Sequence, residues 1–185
     1  LVALWWGLQA IKQDAIQKIV YVRSDVGCAH QRGRGALPGT MEEKMAPLIG
    51  PVMDNLSVMT RSQGAAQYLL DKKIIEPMML EDIRGRSLNE SLIIFDEAQN
   101  TTAEQMFMFL TRIGMGSRCV VTGDVTQIDL PRNKLSGLVE AVGALRDISG
   151  IGMHFFTEKD VVRHPLVQAI ILAYKDHRGS RESRI

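Results

Sequence analysis

Cysteine is nearly absent from the 185 residues: Cys28 and Cys119 stand far apart, with neither a CxxC pair nor a Cys/His cluster. That excludes a disulfide scaffold and argues against structural zinc, and it fits a reduced compartment, so a cytoplasmic protein is expected. No apolar run approaches the roughly 20 residues that cross a bilayer, and no basic-then-apolar start resembles a signal peptide, so no membrane partner is expected. An excess of one charge is missing too. Twenty-two Lys and Arg against 21 Asp and Glu leave a net +1, so bulk charge neither demands nor excludes nucleic acid, and local patches must decide. There is no internal repeat and no initiator Met, which suggests that Leu1 is not the natural start. What is present is a 45% apolar chain long enough to bury a substantial core, read as one domain over residues 1–176 with a disordered basic tail over 177–185.

The stretch Ser91-Leu92-Ile93-Ile94-Phe95-Asp96-Glu97-Ala98-Gln99-Asn100 organises the rest. Four consecutive apolar residues between polar neighbours fit a strand buried on both faces of a parallel sheet. Two carboxylates follow at its end, where open α/β sheets bind ligands. Asp96 there suits a Mg²⁺ held through its water shell, and Glu97 beside it suits orientation or deprotonation of an attacking water. Many strands end in a solvated acid pair that does nothing, so the next strand matters. Cys119-Val120-Val121-Thr122 is a second short β-branched run, ending in Gly123-Asp124-Val125-Thr126-Gln127. Two neighbouring strands then deliver Asp96, Glu97 and Gln127 to one edge.

In order along the chain, Leu1, Leu4, Trp5, Leu8 and Ile11 repeat at helical spacing and predict a buried helix. Ile19 to Val22 predicts a strand closing in Arg23-Ser24-Asp25. Val26 to Gly39 is glycine-rich and carries Arg32 and Arg34; it reads equally as a phosphate-touching loop or a solvated one. His30 within it has no partner at metal-ligand spacing. Thr40 with Glu43 forms a capping-box pattern ahead of Met45, Leu48, Ile49, Val52, Met53 and Leu56, but Pro47, Gly50 and Pro51 interrupt the spacing and predict two short helical pieces or a kinked one. The methionines here read as flexible core filler.

Ala65, Ala66, Leu69 and Leu70 mark a short helix, and Ile74 to Met79 an edge or terminal strand, because Pro77 cannot donate to a ladder. Arg84-Gly85-Arg86 is either a phosphate grip or a solvated turn. After the central strand, Thr101 with Glu104 and Thr102 with Gln105 both fit a capping box; Met106, Phe109, Leu110 and Ile113 share a face, and Gly114 and Gly116 end the helix. Leu138, Val142 and Leu145 predict another helix, Met153 to Phe156 a last strand, and Leu166, Val167, Ile170, Ile171 and Tyr174 the inner face of a final helix. This alternation predicts an α/β fold with a mostly parallel sheet flanked by helices.

A strand ending in Asp-Glu, followed about 25 residues later by one ending in Gly-Asp-x-x-Gln, is the arrangement of P-loop NTPases. Phe95-Asp96-Glu97-Ala98-Gln99-Asn100-Thr101-Thr102, the run Thr122-Gly123-Asp124-Val125-Thr126-Gln127-Ile128-Asp129-Leu130-Pro131 and Asp160-Val161-Val162-Arg163-His164-Pro165-Leu166-Val167 closely resemble the PhoH family of phosphate-starvation-inducible ATPases. So do Arg84-Gly85-Arg86-Ser87-Leu88-Asn89 and Leu37-Pro38-Gly39-Thr40 with Glu43-Lys44. The resemblance covers almost the whole chain. It implies a RecA-type P-loop NTPase core, ATP with Mg²⁺, and a helicase-like role in RNA or single-stranded nucleic-acid metabolism. On it, Asp96 matches the magnesium-associated acid, Glu97 the residue that activates water, and Gln127 the amide that senses the γ-phosphate. Arg163 is the candidate for stabilising the transferring phosphate, in cis or from a neighbouring subunit. Asp124, Arg84 and Arg86 are further candidates for holding the nucleotide, and Arg23, Arg32 and Arg34 for contacting nucleic acid.

The sequence departs from the family pattern twice. No Gly-Lys pair occurs in these 185 residues, so the phosphate-binding Gly-x-x-x-x-Gly-Lys-Ser/Thr loop is missing. With Leu1 already inside the helix that should follow that loop, the expectation is a core truncated at its N-terminus, lacking the first strand and the P-loop. The second departure is Val26 to Ala36, glycine- and arginine-rich where the family usually shows a glutamate-containing segment. Two other functions stay open: a nucleotide-gated assembly module in which ATP controls a homo-oligomer, and a catalytically inert binding remnant.

Overall fold

A computed structural model describes residues 1–24, 41–131, 133–157, 160, 162, 165–167, 169–170 and 173–174, with backbone alone for 41–48 and 63. Strands β1 (Lys18–Arg23), β2 (Ile75–Met79), β3 (Ser91–Asp96) and β4 (Arg118–Val121) form one all-parallel sheet in the order β2-β1-β3-β4. The apolar run of β3 is therefore an inner strand, buried from Ser91 to Phe95 as the composition requires. Arg23 lies in register with Asp96, and Phe95 with Val121, so three strand ends align at one lip. Pro77 sits on edge strand β2, where its missing N–H costs no ladder bond.

Alternation along the strands builds two cores. On one face Ile19, Tyr21, Ile75, Leu92 and Ile94 pack against Leu4 and Ala10 of helix α1 (Val2–Lys12), Val52 and Leu56 of α2 (Met41–Thr60) and Ala66 of α3 (Gln63–Asp71). On the other, Val20, Val22, Ile93 and Phe95 pack against Met106 and Phe109 of α4 (Ala103–Leu110), with Leu138 and Ala141 of α5 (Gly137–Ala144) at the margin. The Phe95 and Phe109 rings lie 4.4 Å apart between centroids, and each such burial contributes about 1.5–3 kcal/mol.

Two helical expectations are corrected, and a third is narrowed to one of its two forms. The inner face of α1 is Leu4, Gly7 and Ala10, with Leu1 and Trp5 exposed. Gly7 favours this face: a Cβ there would come within 2.7 Å of Ile19 Cδ1 and Leu92 Cδ2, so any larger residue would have to displace those buried side-chain ends. Of the two forms expected for the segment holding Pro47 and Pro51, two short pieces or one kinked helix, it runs as one helix, Met41–Thr60. The stripe of Val52 and Leu56, both fully buried, holds it together, and the Asn55 side-chain amide donates to the Pro51 carbonyl at 2.9 Å. Helix α4 stops at Leu110, before the glycines, leaving Ile113 in an isolated bridge to Leu88; of the two capping-box patterns, Thr102 with Gln105 is formed.

Residues 148–185 form a second unit. Met153 to Phe156 joins no ladder among the described residues, and Phe156 is 85% exposed, so the expected last strand is not formed. Strand propensity alone does not make a strand without a partner edge. Helical residues occur at 165–167, 169–170 and 173–174, within the final helix expected there. Ile171, Thr40 and the tail lie outside the described residues. No described helix is long and apolar enough to cross a membrane. Cys119 is a free thiol that burial pushes up to about 12, which makes it a poor nucleophile.

At the far side of the sheet, Glu76 accepts from Lys18 Nζ at 2.6 Å and from Arg86 at 3.4 Å. Burial opposes ionisation of Glu76, but the two cations outweigh it and hold the carboxyl below its ordinary 4.5. A depressed carboxyl contributes stability above its unfolded value and loses it as pH falls through the folded one. Glu76→Gln should therefore destabilise the chain at neutral pH by about 1 kcal/mol or less, the range of partly exposed pairs. In urea unfolding the gap between variant and parent should close as pH drops below 4.5; a gap independent of pH contradicts the ion-pair account.

Candidate functional site at the strand tips

Asp96 ends β3 half-buried, on the same face as Tyr21 and Arg23 of β1. Its carboxylate is held at both ends: Tyr21 Oη donates to Oδ2 at 2.6 Å and Thr122 Oγ1 donates to Oδ1 at 2.8 Å. Because β3 lies between β1 and β4, the acid receives one hydroxyl from each neighbouring strand end. Burial, and then the bond to Asp96, pushes the Tyr21 phenol above its ordinary 10.0, so it remains a donor throughout the neutral range.

Glu97 follows in the left-handed region, φ 56° and ψ 36°, which costs a non-glycine residue roughly 1–3 kcal/mol. The turn is over-determined. Ala98 N–H donates to the Thr122 carbonyl at 3.0 Å, Ser24 Oγ reaches the Glu97 carbonyl at 3.4 Å, and Ser136 Oγ donates to the Gln99 carbonyl at 2.8 Å. The short 3-10 turn Ala98–Asn100 then places Gln99 in the interior, fully buried.

That buried amide joins the two motifs. Gln99 Nε2 donates to Glu97 Oε2 at 2.7 Å and to the Gln127 carbonyl at 3.3 Å, while its Oε1 accepts the Asp124 N–H at 3.1 Å. Every donor of the side chain is used, as burial demands. Gln127 itself is exposed and donates through Nε2 to Asp124 Oδ2 at 2.6 Å. Asp124 is held below its ordinary value by the Thr126 hydroxyl, the Thr126 N–H and the Gln127 amide. Arg23 NH2 stands 4.0 Å from Glu97 Oε1, a long, partly solvated pair.

The structure thus brings Asp96, Glu97, Asp124, Gln127 and Arg23 to one lip. Arg86 does not join them: its guanidinium binds Glu76 and the Met78 sulfur on β2, with β1 between it and β3. Arg84 is exposed, after the turn Leu80–Ile83 that follows β2. Arg32, Arg34 and Arg163 lie outside the described residues. Gln99, Tyr21 and Thr122 were given no role from the sequence. A signal existed for Tyr21, the only residue with a side-chain hydroxyl in the aliphatic run Ile19 to Val22.

A parallel α/β sheet whose inner strand ends in adjacent acids, tied to a polar loop on the neighbouring strand, is a P-loop-NTPase-like core. Within that class the chain belongs to the PhoH family: the family profile described as PhoH-like protein matches residues 1–175. The PhoH-like protein of Mycobacterium tuberculosis (strain ATCC 25618 / H37Rv) is 46% identical over 167 residues, covering 90% of this chain and 47% of that protein. The PhoH-like protein of Bacillus subtilis (strain 168) is 44% identical over 167 residues, 90% of this chain and 51% of its own. Protein PhoH of Escherichia coli (strain K12) is 42% identical over 144 residues, 76% of this chain and 40% of its own. The chain spans about half the length of these curated relatives.

Gly123 sits where Gln99 needs room: a Cβ there would come within 2.7 Å of Gln99 Oε1, 3.0 Å of Gln99 N and 2.6 Å of Leu138 Cδ2. Gly123→Ala should destabilise the fold by about 1–3 kcal/mol through overpacking. Thermal or urea unfolding reads this directly, and a midpoint equal to the parent's contradicts the packing described.

Proposed function

We propose that the protein acts as an ATPase, hydrolysing ATP with Mg²⁺ and coupling that hydrolysis to RNA or single-stranded nucleic acid in a helicase-like manner. The observation that carries this reading is the Gln99 bridge, which ties the Glu97 carboxylate to the loop bearing Gln127. A strand-tip acid with no job has no need of a fully buried amide holding it to a second motif.

The residues at the lip fit a magnesium nucleotide. A carboxylate offers roughly four lone-pair sites, and Asp96 uses one on each oxygen for Tyr21 and Thr122, leaving acceptor capacity on both. Among the described residues no group of three or more His, Cys, Asp or Glu could hold a metal by itself. That matches Mg²⁺, which keeps much of its water and is held by one or two carboxylates together with phosphate oxygens. Asp96 is the residue that would hold it. When bound, the ion supplies the charge that neutralises the phosphate oxygens.

Glu97 has one oxygen occupied by Gln99, so Oε1 is the atom that takes the proton of the attacking water. Arg23 stands near that oxygen, in a pair too long and too solvated to sequester it. Gln127 exchanges its bond to Asp124 for one to the terminal phosphate, and Gln99 passes the resulting loop movement back to Glu97. Arg163 supplies positive charge in cis or from a neighbouring subunit. Arg23, with Arg32 and Arg34, meets the nucleic-acid backbone.

The test uses a protein in which a Gly-x-x-x-x-Gly-Lys-Ser/Thr loop precedes Leu1. There, Glu97→Gln should bind ATP as tightly as the parent while turnover drops about a hundredfold or more, the scale of a lost general base. Unchanged turnover removes Glu97 from the mechanism. RNA should raise the parent's turnover; an ATP-dependent change of mass without any response to RNA favours the assembly module instead.

A further inference from the structure

We infer that Tyr21 is a positioning residue for Asp96: reaching across from β1, and paired with Thr122 of the opposite neighbour, it sets the plane in which the carboxylate meets a divalent cation. This rests on reading Asp96 as the metal-associated acid. It adds a residue to which the family motifs gave no part.

The argument is geometric. A free aspartate at a strand tip turns about χ1 and χ2, so both its direction and the tilt of its plane are loose. Here one hydroxyl grips each oxygen, Tyr21 on Oδ2 at 2.6 Å and Thr122 on Oδ1 at 2.8 Å, and two grips on opposite ends of a planar group remove both freedoms. The two donors differ in how firmly they are rooted. Thr122 is exposed just beyond the last residue of β4. Tyr21 is 5% exposed, and its side chain belongs to the core built from Ile19, Val52, Leu56 and Ile94. A rigid ring fixed at its base delivers its hydroxyl to one place, so Tyr21 sets the position and Thr122 completes it.

The grip also decides what Asp96 does not do. Arg23 is its register partner across β1 and β3. The oxygens of Asp96 are held by neutral hydroxyls, and the Arg23 guanidinium stands by Glu97. Partners that orient a metal's carboxylate in this way are worth about 10–100-fold in metal affinity.

The test measures Mn²⁺ affinity by electron paramagnetic resonance, with a non-hydrolysable ATP analogue, in the same loop-bearing protein. Tyr21→Phe keeps the ring and removes one hydroxyl. It should weaken Mn²⁺ binding roughly tenfold while leaving metal-free binding of the analogue unchanged. Thr122→Val, on the exposed strand tip, should weaken Mn²⁺ in the same direction and keeps the question answerable if Tyr21→Phe does not fold. The double variant should fall short of the product of the two, since both act through one carboxylate. If the parent binds Mn²⁺ and Tyr21→Phe binds it equally well, or Thr122→Val does where Tyr21→Phe does not fold, or if metal-free binding falls in step with metal binding, the positioning role is overturned while the reading of Asp96 stands. If the parent binds no Mn²⁺ with the analogue, the reading of Asp96 falls and this inference falls with it.

Discussion

The site depends on β3 lying inside the sheet with a fixed register on both sides. Side chains alternate with a period of two, so a slip of one residue would turn Asp96 to the opposite face and bring Phe95 to the other core. The Phe95–Phe109 contact opposes that slip, because a slip would take the fully buried Phe95 ring away from Phe109. Core packing of the residue just before the acid therefore decides which way the acid emerges. It also decides its companions, since Tyr21 and Arg23 share the Asp96 face through the same alternation on β1.

The backbone beyond Asp96 is a second constraint of a different kind. A left-handed Glu97 is unfavourable by itself, and nothing in the strand requires it. It persists because the next two residues are anchored from outside the turn, Ala98 by the Thr122 carbonyl and Gln99 by Ser136 and the 124–127 loop. Each such bond is worth about 1 kcal/mol net, and several together offset the strain. The consequence is directional: Asp96 and Glu97, adjacent in sequence, leave the strand toward separate sets of donors.

The chain reveals some of this without coordinates and hides the rest for a physical reason. The apolar run ending in Asp96-Glu97, the β-branched run Cys119 to Val121 and the capping residue Thr102 are local signals, and each element formed where they place it. The hydrogen bonds that make the acids a site are not local. Tyr21 and Asp96 are 75 residues apart in sequence, Thr122 and Asp96 26, and Gln99 and Asp124 25. Such bonds exist only once strand order is known, and order is not written in any window. Arg86 shows the converse. Its pattern beside Gly85 invites a phosphate, yet Glu76, ten residues earlier on the edge strand, takes the guanidinium. The inward face of α1 was misread for a related cause: apolar spacing put Trp5 inside, whereas close approach to the sheet favours the face that holds Gly7.

The two acids are held by unlike means, and that difference matters for how they can work. Asp96 is gripped by two hydroxyls, one of them on the core-rooted ring of Tyr21 and the other on Thr122 at the neighbouring strand's tip. Glu97 is gripped by an amide that water cannot replace, for Gln99 is fully buried and its three bonds share one rigid plane. Moving the 124–127 loop must move Gln99 or break a bond in the interior, and an unpaired buried amide costs about 1–3 kcal/mol. The Arg23 pair at 4.0 Å is too weak to compete with that. Asp96 therefore answers to its immediate neighbours, while the position of Glu97 is coupled to the neighbouring strand's loop. One carboxylate is thus fixed by the strands on either side of it, and the other by the loop that follows the neighbouring strand.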